Sequence, residues 1–197
     1  MNNNLFEQGY NITKEQRNAS NKHKSLVVWF TGLSGSGKSF LANALEKHLY
    51  LKGIKTYTLD GDNIRLGINS DLGFSKQDRE ENLRRIAHIG SLMTDAGIVC
   101  LAAFVSPLEE NRLLVKSIIG KDNFFEIYVN TPIAVCEKRD VKGLYEKARK
   151  GEIKDFTGVN APFEAPENPD VTIDTSIEDV SVSVQKIFNL VYQNLKM

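Results

Sequence analysis

A chain of 197 residues with 41% hydrophobic residues has enough apolar side chains for one domain with a real core. Its 25 basic and 25 acidic residues cancel, which argues against a nucleic-acid or membrane-surface partner; any acidic ligand must meet a local cluster of Arg and Lys. Two cysteines, Cys100 and Cys136, are too few for a disulfide framework and read as reduced structural residues.

Residues 1–24 are a polar lead-in without the apolar core of a secretory signal. No apolar run approaches the ~20 residues of a membrane span, so a cytoplasmic location is expected. Residues 25–197 read as a single domain. Residues 26–31 are short, apolar and β-rich, a buried strand. Residues 38–52 have helical spacing, with Leu41, Ala44, Leu45 and Leu49 on one face and Gly53 as the stop. A second strand covers 55–59. Ser75 and Asp78 open a long helix to about Ala96, with Leu83, Ile86, Ile89 or Gly90, and Met93 as its apolar face. A third strand, 98–105, is apolar throughout. Ser106-Pro107 and Thr131-Pro132 each read as a cap followed by a helix-opening proline, with a fourth strand at 125–130 between them. Residues 143–169 are weakly patterned and too long for an ordinary loop, as active-site lids often are. A fifth strand at 170–173 and a last helix, capped within 176–179 and running to about Leu195, complete the chain. Such alternation predicts an α/β fold with a mostly parallel five-stranded sheet and helices on both faces.

The stretch Gly32-Leu33-Ser34-Gly35-Ser36-Gly37-Lys38-Ser39 fits G-x-x-x-x-G-K-[ST] between a strand and a helix, the context the motif requires. Its glycines let backbone N–H groups turn toward phosphate oxygens, and the following helix points its positive end at the same anion. Lys38 can reach the β- and γ-phosphates, and Ser39 can offer its hydroxyl to Mg²⁺. The loop leaves switch, motor and small-molecule kinase open. The third strand ends without the acid a motor or switch usually carries, so the acid is sought past the second strand, where Asp60 and Asp62 stand near Arg65. A carboxylate there can accept a proton from a substrate hydroxyl and orient Mg²⁺. The plainer alternative is a turn that only reverses the chain.

Arg79 and Asn82 share a helix face, and Arg65 follows the acidic turn. Arg grips phosphate or sulfate in bidentate fashion. Phe74 and Phe156 sit in glycine-bearing loops, where aromatics can stack on a purine. Each also admits a bland reading, as a solvated charge or a satellite core residue. For Ser106, spacing favours a helix cap over a ligand contact at a strand end.

The segments 29–39, 59–65, 71–75, 78–86, 102–107, 135–140, 142–145 and 151–158, in order over about residues 26–195, resemble the adenylyl-sulfate kinase family of P-loop small-molecule kinases. The resemblance implies a P-loop kinase fold with a lid at about 143–160. It also implies transfer of a phosphoryl group from ATP, with Mg²⁺, to the 3′-hydroxyl of adenylyl sulfate. Residues 32–39 would then hold the ATP phosphates and Arg139 would lie against its adenine. Asp62 would be base and magnesium partner with Ser39, and Lys38 would serve catalysis. Asp60, Arg65, Arg79 and Asn82 would face the acceptor, Phe74 and Phe156 would sandwich its adenine, and Lys154 would assist at its sulfate end. Ser106 matches the serine described in the family as a phosphoserine intermediate, although in-line transfer needs no covalent stop when a carboxylate is at hand. A homodimer is the implied assembly. The chain departs from the family at Phe40, Leu66 and Leu108-Glu109, where Thr, His and Tyr-Arg are usual. A gluconate- or shikimate-kinase type and a non-catalytic nucleotide sensor are the competing readings.

Overall fold

A computed structural model describes residue 6 and residues 8–197. Strands β1 (Val27–Thr31), β2 (Thr56–Asp60), β3 (Val99–Ala103), β4 (Phe124–Val129) and β5 (Val171–Ile173) form one sheet in the order β2-β3-β1-β4-β5. Every pairing is parallel, with Val27 beside Cys100 on one side and Phe124 on the other. Both faces are covered, which is why β1 and β3 are buried along their whole length instead of alternating.

Side chains alternate across β1 and so divide the core in two. Val28 and Phe30 pack with Leu41, Leu45 and Leu49 of α2 (Lys38–Leu51) and with Val184, Ile187 and Val191 of α8 (Val180–Leu195). Val27 and Trp29 face the other way, onto Leu83, Ile86 and Ala87 of α4 (Lys76–Asp95) and Val115 and Ile119 of α5 (Glu109–Ile119). Gly90 lets α4 lie close to the sheet, since a Cβ there would stand 3.2 Å from the Val27 methyl.

Several local readings are corrected. The polar lead-in contains a helix, α1 (Lys14–Asn21), opened by a reciprocal capping box between Thr13 and Gln16. Arg17 ties it to Asp95 at 2.8 Å, and Asn21 donates to Gly97 O at 2.9 Å. The helix after β3 begins at Glu109 with Leu108 at its cap, so Ser106 caps nothing. Likewise α6 (Ile133–Arg139) has no side-chain cap, and Thr131 is spent on Ser36 O instead. At α8 the capping side chain is Asp179, whereas Ser176 sits in a turn built on Asp174. The weakly patterned stretch after residue 143 holds a short helix, α7 (Leu144–Arg149).

Candidate active site

The loop between β1 and α2 has backbone that only its glycines adopt easily. Gly32 stands at φ 147°, and a Cβ there would lie 2.5 Å from Val129 O. Gly37 enters α2 at φ 105°. The Lys38 ammonium is buried and donates to Gly32 O at 2.9 Å and Leu33 O at 2.8 Å. Burial pushes this amine down to about 8, against the pull of Cys136, Asp60 and Asp62. Ser36 Oγ is buried without a partner among the described residues, a hydroxyl left over inside a loop shaped for phosphate oxygens.

Parallel strands deliver their carboxyl ends to the same edge, and the acids arrive there from β2. Asp60 caps α3 (Gly61–Arg65) by accepting from Asp62 N, and its other oxygen receives the Ser39 hydroxyl at 2.6 Å. A hydroxyl and a carboxylate meeting in this way are hard oxygen donors, a set that fits Mg²⁺. The acid beside Ser39 is thus Asp60. Asp62 is exposed and forms an ion pair with Lys142, just before α7.

Arg65, Phe74 and Arg79 come together. The guanidinium carbons of Arg65 and Arg79 lie over the Phe74 ring, 4.5 and 5.6 Å from its centre. Arg65 donates to Gly73 O, and Arg79 to Phe74 O and, across the cleft, to Asp155 O at 3.0 Å. Burial lowers the pKa of both arginines; at Arg79 the neighbouring Arg65 lowers it further, whereas Asp78 and Asp62 pull that of Arg65 back up. Asn82 is buried beneath them and accepts from Asn69.

The two phenylalanines do not form an open sandwich. Phe74 is 63% exposed with Arg65 against its ring, while Phe156 is buried edge-on against Tyr145, with ring centres 5.0 Å apart. Tyr145 and Phe156 form a small separate core with Cys136 and Ala148, against which Leu33 of the phosphate loop packs. Tyr145 Oη donates to Ser34 O at 2.9 Å. Arg139 spans the loop, donating to Gly35 O, Ser36 O and Thr175. Lys154 is exposed.

Ser106 stands past the end of β3 at φ 37°, an unfavourable conformation for a non-glycine residue that costs on the order of 1–3 kcal/mol. Its hydroxyl is buried, donates to Thr31 Oγ1 at 2.8 Å and accepts from the Trp29 indole at 3.0 Å. Spacing had no means of finding Trp29, Thr31, Tyr145 or Thr175, whose roles depend on contacts between distant strands and loops. Lys142 lay inside a resembling segment, but its pairing with Asp62, 80 positions away, could not be read from it.

Residues 24–174 match the family model described as adenylylsulphate kinase. A probable adenylyl-sulfate kinase of Halalkalibacterium halodurans is 54% identical over 184 residues, covering 93% of this chain and 88% of the relative. The adenylyl-sulfate kinase of Lactiplantibacillus plantarum is 54% identical over 178 residues, 90% of this chain and 86% of its own. The structure of the Mycobacterium tuberculosis APS kinase in complex with AMPPNP and APS superposes with a TM-score of 0.82 at 46% identity, over 86% of this chain and 98% of that one. With a phosphate loop, an acidic turn and an arginine–aromatic cluster at one sheet edge, and relatives alike over nearly the whole length, the chain belongs to the adenylylsulphate kinase family.

Proposed function

We propose that this protein transfers the γ-phosphoryl group of ATP to the 3′-hydroxyl of adenylyl sulfate, giving 3′-phosphoadenylyl sulfate and ADP. The observation that carries the reading is the pair of unlike subsites on one sheet edge. One is a loop for a polyphosphate, with Lys38 and Ser39. The other is the cluster of Arg65, Phe74 and Arg79, which suits an aromatic anion.

Residues 32–39 hold the donor phosphates, and Arg139 borders the donor's base. Ser39 and Asp60 would hold Mg²⁺, whose charge would offset that of the phosphates. Asp62 takes the proton of the acceptor hydroxyl once Lys142 leaves it. Arg65, Arg79 and Asn82 orient adenylyl sulfate, and Lys154 reaches its sulfate end. Phe74 and Phe156 close on the adenine, which requires Arg65 to slide off the Phe74 ring. Residues 143–160 act as the lid of a single domain beginning at residue 25. No helix among the described residues is long and apolar enough to cross a membrane; a homodimer in the cytoplasm is part of the proposal and rests on the family resemblance.

The test is ADP release in a coupled assay with adenylyl sulfate, gluconate or shikimate as acceptor. Adenylyl sulfate alone should stimulate turnover, and Asp62→Asn should lower kcat by about 10²-fold or more while ATP still binds. Absence of stimulation by adenylyl sulfate overturns the reading; unchanged turnover by Asp62→Asn overturns the base assignment.

A further inference from the structure

Beneath Ser106 lies a charged group that the phosphoryl-transfer chemistry does not call for. Arg112 of α5 is 2% exposed. One of its terminal nitrogens donates to Ser106 O at 2.8 Å and the other pairs with the Glu109 carboxylate. Its Nε faces Glu126 Oε1 of β4 at 3.5 Å, and neither atom has a hydrogen bond among the described residues. Burying two charges in incomplete contact is costly, and hydrophobic side chains could fill the same space. An arginine has one property that a hydrophobic residue lacks here: a rigid planar fork that can grip a backbone carbonyl.

That carbonyl belongs to Ser106, a non-glycine residue held at φ 37°. We propose that Arg112 is a positioning residue: its grip on Ser106 O keeps Ser106 left-handed and so fixes the Ser106 hydroxyl against Trp29 and Thr31 at the floor of the site. A relaxed Ser106 would turn its hydroxyl away from both partners. The segment is also braced from the lid's far end, where Glu164 N donates to Pro107 O at 2.8 Å and Glu109 N donates to the Glu164 carboxylate at 2.7 Å. The Phe163 ring lies under the same guanidinium, 5.9 Å away. Arg112 therefore joins β4, the end of β3 and the segment leaving the lid.

Glu126 makes the arrangement sensitive to acid. Burial pushes its carboxyl up to about 6, Arg112 and Lys116 pull it down, and Glu109 and Asp170 push it up. As pH falls through about 6, Glu126 gains a proton, and Arg112 is left to the Glu109 side of its pairing.

Trp29 is the chain's single tryptophan, so its emission reports the ring's surroundings, which include Ser106, Phe104, Phe124 and its register neighbour Glu126. The experiment compares the full chain with Arg112→Lys and Glu126→Gln by thermal melt, Trp29 emission from pH 5 to 8, and kinetics with both substrates. The kinetic arm rests on the proposed function; the emission arm does not. Arg112→Lys should shift the emission and lower kcat on the order of tenfold, with KM for ATP within about twofold. The unaltered chain should show an emission transition centred near pH 6, and Glu126→Gln should lack it. A folded Arg112→Lys with unchanged emission and kcat overturns the proposal, as does a Glu126→Gln that keeps the transition. Should Arg112→Lys not fold, Arg112→Gln, which can still donate to one carbonyl, takes its place with the same two outcomes. Should the unaltered chain not turn over adenylyl sulfate, the functional reading falls while the emission arm still decides the role of Arg112.

Discussion

Lys38 carries its charge where water scarcely reaches, and that fixes how the phosphate loop responds to pH. Its amine titrates at about 8 in the free protein, and a bound polyphosphate restores the pull on the proton. Binding therefore takes up a proton once the pH exceeds about 8, and affinity for ADP should fall by up to about tenfold per pH unit above that point. Below it, affinity should be flat. The sign for the unliganded fold is the reverse: a lowered amine costs stability while charged, so stability rises as pH climbs from about 8 toward 10.5. Titration calorimetry with ADP between pH 7 and 10 checks the first statement. Lys38→Met should bind weakly with no slope, and a slope that survives this substitution would remove Lys38 as its source. The loop was legible in the sequence because its chemistry is contiguous, eight residues in a row. The Ser39–Asp60 contact was not, since it spans 21 positions and exists only because β2 and the loop share a sheet edge. Ser106 was misread for a physical reason too. Ser-Pro is a local signal for a cap, but a buried guanidinium took its carbonyl and the indole of Trp29 took its hydroxyl.

At the scale of elements, strands and long helices could be read to within a residue or two wherever burial repeats along them, as in β1, α2 and α4. Short polar helices could not, because nothing periodic marks them. α1 is the clear case: its mean composition is polar, and its one sequence signal is the Thr13-to-Gln16 capping box. What keeps it folded is docking, with Arg17 on Asp95, Asn21 on Gly97 O and Lys14 on Asn123. Just beyond it, the buried His23 ring links two segments, with Nδ1 on Lys24 O at 2.7 Å and Nε2 accepting from Lys55 N at 3.0 Å. A helix of eight residues is marginal alone, so its cap matters. Thr13→Ala should cost about 1 kcal/mol of local stability and speed amide exchange across residues 14–21. Turnover should stay unchanged, since the sheet edge that carries α1 is opposite the phosphate loop. Exchange rates equal to those of the unaltered chain would mean that the docking contacts alone hold the helix.

Over the whole molecule, the parallel sheet was predictable from alternation, whereas the proposed lid could be read only as a length of unpatterned chain. Its packing shows how two subsites become one. Tyr145 donates to Ser34 O on the donor side and meets Phe156 edge-on; Asp155, next to Phe156, accepts from Arg79 on the acceptor side. A ligand that orders either side thereby prepares part of the other, which is positive coupling in the thermodynamic sense. Each ligand at one hundred times its Kd stabilises the fold by about 2.7 kcal/mol, or roughly 5–10 °C in Tm for a chain of this size. ADP with Mg²⁺ and adenylyl sulfate together should exceed the sum of their separate stabilisations by about 1–3 kcal/mol. Tyr145→Phe keeps the ring against Phe156 and deletes only the Ser34 bond, so it should shrink that excess while leaving each single-ligand shift nearly intact. A thermal-shift series over the four ligand states of both proteins measures it. Strict additivity in the unaltered chain would mean that the lid closes over each subsite separately, and an excess untouched by Tyr145→Phe would move the coupling onto the Arg79–Asp155 contact.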